Sequence, residues 1–332
     1  MRPALLLNPT LSIRVGTAIE ASFHHAGRWE CATLDDPLQA QWLLSLTTPQ
    51  TPDAIASDAQ RVLGTSTTES AAIVDELLTH GALVSVSDAP PQSLEWWLEL
   101  GWREALDFHL AVKDVPFTPC DEEARGVVPA FKTYPDSLPR VALPRSCARV
   151  DAASFGATIL HARRPSPRFL PIALDELAEL LAHTFRITKT SRSDGRFLPT
   201  EAYVVASRVR GLAAGIYHYS VEQHDLVRLR KGNFESDVYE LGHRQEGLVG
   251  VAASLFLTTR WQPSMWRCRC ARAYRTALFD LGHLVQTQHF VATAIGLECF
   301  STPAIRDSEA TELLGIADYL AESPMYLTAV GR

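Results

Sequence analysis

From Ala273 to Ile295 the sequence carries apolar residues around more of a helix's circumference than a surface helix can bury. Leu278, Leu281, Val285, Ala292 and Ile295 share one stripe, and Ala277, Leu284 and Val291 cover an adjoining one. Such a helix belongs at the centre of a fold or at a subunit interface. Gly282 in its interior costs about 1 kcal/mol against alanine, which close approach of another backbone would explain. Around this helix the pattern alternates. Leu174–His183 reads as an amphipathic helix, Ala202–Ser207 and Gly215–Tyr219 as strands, and Leu226–Leu229 as a hairpin partner. Leu248–Thr259 passes from helix to strand, and Met325–Val330 is a closing strand.

The first 88 residues read as a separate small α+β unit. Leu5–Asn8, Ser12–Val15 and Ala32–Leu34 are extended, and Leu38–Leu46 and Pro52–Leu63 are helical. The clearest helix is Ser70–His80, with Ile73, Val74, Leu77 and Leu78 on one face and Gly81 as its stop. Ala82–Val86 follows as a strand. Helix, glycine and short strand is how a winged helix ends, and a plain α/β fragment covering the larger domain is the alternative. Asp88-Ala89-Pro90-Pro91 breaks the chain. One long helix capped by Ser93 then buries Leu94, Trp97, Leu98, Ala105 and Phe108. Residues 115–150 are proline-rich and irregular. The expected division is 1–88, a connecting segment 89–150, and a main domain 151–332.

A net charge of −7 does not favour a nucleic-acid partner. The six cysteines are scattered through 332 residues, which fits a reduced, cytoplasmic protein better than a disulfide framework. Cys268-Arg269-Cys270 is too closely spaced for a zinc pair, so no metal site is expected. No apolar run reaches the ~20 residues of a membrane span.

Four short segments carry chemistry. Arg164, Ser166 and Arg168 alternate in an extended stretch and point to one side. Guanidinium forks suit phosphate oxygens, although a solvated basic turn is the simpler reading of this segment alone. Arg192-Ser193-Asp194-Gly195 precedes Pro199-Thr200-Glu201-Ala202-Tyr203. Gly296 and Leu297 form a turn after the long helix. Trp266-Arg267-Cys268 lies shortly before Ala273-Tyr274-Arg275. His283 and His289, six residues apart on the helix, face different ways and are not a metal pair. His218, between Tyr217 and Tyr219, reads as structural.

In order and spacing these segments resemble the nitroreductase fold, and within it the flavin-dependent azoline dehydrogenases of the SagB/McbC type. The resemblance covers residues ~93–332. It implies an α+β fold, with a central antiparallel sheet wrapped by helices, FMN at a homodimer interface, and a winged-helix-like N-terminal domain. Arg164, Ser166 and Arg168 would hold the FMN phosphate and ribityl chain. Arg192, Ser193 and Gly195 would meet the ring, and the Gly296-Leu297 amides would approach the phosphate. Arg332 is a further candidate for the phosphate. The family's Lys-Tyr pair is Arg267-Cys268 here. Azoline oxidation needs a proton acceptor, and arginine stays protonated. Cys268 flanked by Arg267 and Arg269, Tyr274, His283 and the substrate itself all remain open for that role. The implied function is oxidation of thiazoline or oxazoline in a ribosomally made peptide, with a cyclodehydratase as partner. Another flavin redox step, such as dehydroamino-acid reduction, and a non-catalytic peptide-binding scaffold are the alternatives.

Overall fold

The computed structural model describes residues 3–25, 28–88, 93–112, 132–145, 169–191, 199–267 and 270–332. The chain divides into two units, Met1–Phe117 and Thr118–Arg332. In the first unit, strands β1 (Leu5–Leu7), β2 (Ser12–Val15), β3 (Ile19–His25) and β4 (Arg28–Leu34) precede helices α1 (Pro37–Ser45), α2 (Pro52–Leu63) and α3 (Thr67–His80). Strand β5 (Leu83–Ser85) and helices α4 (Ser93–Glu99) and α5 (Arg103–Ala111) complete it. The helices begin where the sequence supplies caps. Asp36 and Thr51 each precede a proline, and Ser66 and Glu69 exchange the reciprocal bonds of a capping box. Leu5, Trp42, Leu43, Ile55, Val74 and Leu83 form the core of this unit.

Three expectations change here. The segment from Ile19 to Leu34 is a full hairpin, so β2, β3 and β4 form an antiparallel meander ahead of the helices. The helix–glycine–strand ending is present in α3 and β5, but β5 pairs with β1. The single long helix after Ser93 is two helices, because Gly101 adopts φ +73° and turns the chain between α4 and α5. Arg103 then ties α5 to the β1–β2 turn. It pairs with Asp107 at 3.0 Å and donates to the carbonyls of Thr10 and Leu11 at 2.9 and 2.8 Å.

The second unit contains β6 (Arg140–Ala142), β7 (Ile172–Ala173), α6 (Leu174–Ser191), β8 (Thr200–Ala206), β9 (Val209–Arg210), β10 (Gly215–Ser220) and β11 (Asp225–Lys231). It continues with α7 (Glu235–Leu241), β12 (Ala253–Arg260), α8 (Trp261–Arg267), α9 (Ala273–Ala294), β13 (Glu298–Thr302), α10 (Asp307–Leu314) and β14 (Glu322–Gly331). Seven strands form one sheet in the order β13-β14-β12-β8-β10-β11-β6, with every neighbouring pair antiparallel.

Side chains alternate across this sheet, and both faces are covered. Ala202, Val204 and Leu255 meet Leu177, Leu181 and Phe185 of α6 and Leu281, Leu284 and Val285 of α9. Tyr203, Val205, Phe256 and Leu327 meet Val238 and Leu241 of α7 and Leu313 and Leu314 of α10. Each large apolar side chain buried this way contributes about 1.5–3 kcal/mol, so the two layers hold the sheet's ends in place. Leu278 was expected in the buried stripe of α9 but is 41 % exposed, as is Phe279 at 61 %. Among the described residues no helix is long and apolar enough to cross a membrane.

Candidate active site

Phe169 and Leu170 follow directly on the predicted phosphate segment, and the fold anchors them firmly. Arg208 Nη2 donates to the Phe169 carbonyl at 3.1 Å. Leu170 and Arg332 exchange backbone hydrogen bonds of 2.5 and 3.0 Å. The Arg332 guanidinium donates to Glu176 Oε1 at 2.5 Å, and the other oxygen of that buried carboxylate accepts from the Ala173 amide at 2.7 Å. Arg332 is therefore committed to the start of α6, where the sequence offered it to a phosphate.

The Gly296-Leu297 turn reaches the same end of the sheet, because β13 begins at Glu298 opposite Gly331. Gly296 has φ +73°. Its amide donates to Thr293 and that of Leu297 to Ala292, at 3.1 and 2.8 Å. This is the paired closure of a helix by a left-handed residue. Both amides are spent on ending α9, which competes with the anion contact expected of them. Arg164, Ser166, Arg168, Arg192, Ser193, Gly195 and Cys268 lie outside the described residues, as does the side chain of Arg267.

The opposite end of the sheet gathers polar side chains. The Arg260 amide bonds the Pro199 carbonyl at 2.7 Å, so the chain leaving the 192–198 segment enters here. Arg260 Nη1 donates to Glu201 Oε1 at 3.2 Å, and His218 Nε2 lies 2.9 Å from Glu201 Oε2. Beside them, Glu322 accepts from Lys132 Nζ at 2.5 Å, Thr258 Oγ1 at 2.6 Å and Tyr203 OH at 2.9 Å. The Tyr134 and Tyr203 hydroxyls are 3.3 Å apart. Trp261, the next residue after Arg260, donates from Nε1 to Ser323 Oγ at 2.8 Å. Its ring stacks on Tyr274, centroids 4.8 Å apart and planes within 10°. Tyr274 is 43 % exposed in the first turn of α9. Of the predicted catalytic residues, it is the one whose side chain the structure describes.

The electrostatics of this cluster follow from burial and pairing. Burial pushes the Glu322 carboxyl up, but the Lys132 ammonium and the donors Thr258 and Tyr203 outweigh it and hold the group below the usual carboxylate range. Burial pulls Lys132 down, and Glu322 reverses that, leaving it raised. Burial and the neighbouring Glu322 carboxylate push Tyr203 far up, so it stays a phenol. Neither Lys132 nor Tyr203 is therefore a base at neutral pH. The cluster is a charged clamp that holds the 132–140 segment on the sheet.

A pH effect follows. Because the folded-state value of Glu322 lies below the ordinary 4.5, its contribution is present above that value and is lost as pH falls through the folded one. Urea midpoints should drop as pH falls below the ordinary 4.5 and through the folded-state value. The drop should be smaller in Glu322→Gln, and an equal drop in that variant would contradict the assignment.

With this geometry in view, the nitroreductase family profile matches residues 170–332, the span from the anchored Leu170 to Arg332. Over these residues the chain is similar to the nitroreductase family. A Methanocaldococcus jannaschii protein named for the nitroreductases is 29% identical over 167 residues, 49% of this chain and 82% of its own. The trifolitoxin operon protein TfxC of Rhizobium leguminosarum bv. trifolii is 25% identical over 316 residues, 86% of this chain and 87% of its own. A crystal structure from Anabaena variabilis, also named for the nitroreductases, shares the fold. Its TM-score is 0.52 and its identity 23%, covering 68% of this chain and 46% of that one. The likeness to TfxC is long enough to run well beyond the residues that the nitroreductase profile matches.

The sequence reading missed the Lys132–Glu322–Tyr203 clamp. Glu201 and Tyr203 were visible as motif residues ahead of a strand, but their partners lie far along the chain.

Proposed function

We propose that the protein is an FMN-dependent dehydrogenase that oxidises thiazoline or oxazoline rings to thiazole or oxazole in a ribosomally made peptide. The observation that carries this reading is the TfxC likeness. A protein of the trifolitoxin operon is similar to this chain over 86% of its length, not only over the residues that the nitroreductase profile matches. The donor set fits FMN: two guanidiniums and a hydroxyl, Arg164, Arg168 and Ser166, suit a phosphate and a polyol chain. When bound, FMN supplies the hydride acceptor.

The chain's own groups do the rest. Arg192, Ser193 and Gly195 line the ring. The Gly296-Leu297 turn ends α9 at the same end of the sheet as Leu170. Arg267 stabilises negative charge that develops on the substrate. Cys268 and Tyr274 are the groups able to take the proton from carbon.

Leu170 joins the sheet at the Gly331 end of β14, whereas Pro199 joins it at the Glu322 end. Helix α6, of 18 residues and about 27 Å, separates them. The resemblance implies a flavin shared between two copies of the chain. The exposed row Tyr274, Leu278, Gly282 and Phe290 on α9, with Phe279 beside it, supplies the homodimer face. Nothing lies within 4 Å of a Cβ placed on Gly282, so its open side is available to that partner. In the first unit, β2 and β4 are the edges of the meander, and an extended precursor peptide can add to such an edge through main-chain bonds. The cyclodehydratase that forms the azoline is the expected protein partner.

The test is mass spectrometry of an azoline-bearing peptide incubated with the flavin-loaded protein. Loss of two hydrogens per ring supports the proposal. Gain of two hydrogens with a reductant would replace it by a reduction, the second reading that Arg267-Cys268 in place of Lys-Tyr motivates. No change, in a protein that holds no flavin, would leave a peptide-binding scaffold.

A further inference from the structure

A cleft of about 340 Å³ opens between the 132–140 segment and the β10–β11 hairpin. That volume is in the range of small-ligand sites. Its walls include Lys132, Tyr134, Asp136, Arg140, His218 and Glu222. None of these holds the proposed flavin or moves the proton in the reaction above.

His218 is 1 % exposed. Its Nε2 meets Glu201 Oε2, whose other oxygen accepts from Arg260. A carboxylate only accepts, so Nε2 carries the hydrogen, and in the neutral imidazole Nδ1 is then the acceptor. That Nδ1 is buried without a hydrogen-bond partner. Buried polar atoms of this kind are normally satisfied, so the site lacks a donor. The Tyr134 ring lies beside the imidazole, centroids 4.9 Å apart.

Charge decides which donor fits. The two cations of the cleft are already spent. Lys132 bonds Glu322 and Tyr203, and Arg140 bonds Asp225 at 3.1 Å and the Tyr134 carbonyl at 3.3 Å. Asp136 and Glu222 have no ion pair among the described residues. The cleft therefore offers two unmatched carboxylates and one buried acceptor. Among the described residues no three His, Cys, Asp or Glu side chains converge to hold a metal ion. We propose that this cleft binds an organic cation bearing N–H groups, an ammonium or guanidinium of lysine or arginine side-chain size. The cation donates to His218 Nδ1 and sets its charge against Asp136 and Glu222. The Tyr134 ring face adds a cation–π contact.

The experiment is a titration of the full chain, carrying ring-labelled histidine, with Nα-acetyl-lysine methylamide, followed by the His218 ring signals in NMR. The signals are assigned by their loss in His218→Gln. A saturable displacement is expected with this probe and with its arginine counterpart, and none with the Nε-acetylated compound. Asp136→Asn combined with Glu222→Gln, both surface changes, should weaken binding roughly fivefold. Failure of the cationic probes to displace the signals, an equal response to the neutral compound, or a response to acetate instead would overturn the proposal. The readout needs no flavin and no turnover, so its failure is distinct from failure of the dehydrogenase reading.

Discussion

Lys132→Met is expected to destabilise the second unit by about 3 kcal/mol, lowering its melting midpoint by about 6–12 °C. The reason is the residue left behind. Glu322 is nearly buried, with 8% side-chain exposure, and Lys132 is its counter-charge at 2.5 Å. Removing the ammonium leaves a carboxylate held only by the Thr258 and Tyr203 hydroxyls. Lys132 keeps 25% exposure, which puts the effect at the low end for a buried pair. Combining Lys132→Met with Glu322→Gln should recover much of the loss, because the amide still accepts from both hydroxyls without a buried charge. A single variant within about 0.5 kcal/mol of wild type would contradict the clamp. So would a double variant that is no better than the single one.

The second large effect is on cofactor retention. Arg164→Ala combined with Arg168→Ala should weaken FMN binding by about 10²–10⁴-fold, since each guanidinium–phosphate contact is worth about 1.5–3 kcal/mol. The variant should remain folded, because the residues that follow are anchored independently by Arg208 and by the Leu170–Arg332 pairing. Flavin occupancy unchanged from wild type, in a protein with wild-type circular dichroism, would remove the phosphate assignment.

Much of the second unit was legible because its signals are local. The period of Leu174–His183 and the apolar runs of β8 and β12 announce their own structure. The helix from Ala273 was visible from its breadth of apolar cover, and its exposed row of Tyr274, Leu278 and Phe290 accounts for part of that excess. The clamp could not be read in this way. Lys132 and Glu322 are 190 residues apart, and Tyr203 is 119 from Glu322. Tyr203 and Glu322 meet because β12 pairs with both β8 and β14. His218 read as structural between two tyrosines, and only the pairing of β10 with β8 sets it opposite Tyr203 and within reach of Glu201. In the first unit the β3–β4 hairpin escaped notice although Ile19–His24 alternates strictly between apolar and polar residues, the signature of a half-buried strand. The turn at Gly101 was hidden by apolar spacing that continues through it.

The central claim is that this chain binds a flavin and does redox chemistry with it. Titration of the intact protein with FMN, followed by quenching of flavin fluorescence, tests it most directly. The account predicts a protein that is yellow as purified and, once stripped, takes up FMN saturably. A colourless protein with no saturable uptake of FMN would contradict it and would remove the dehydrogenase and the reduction readings together.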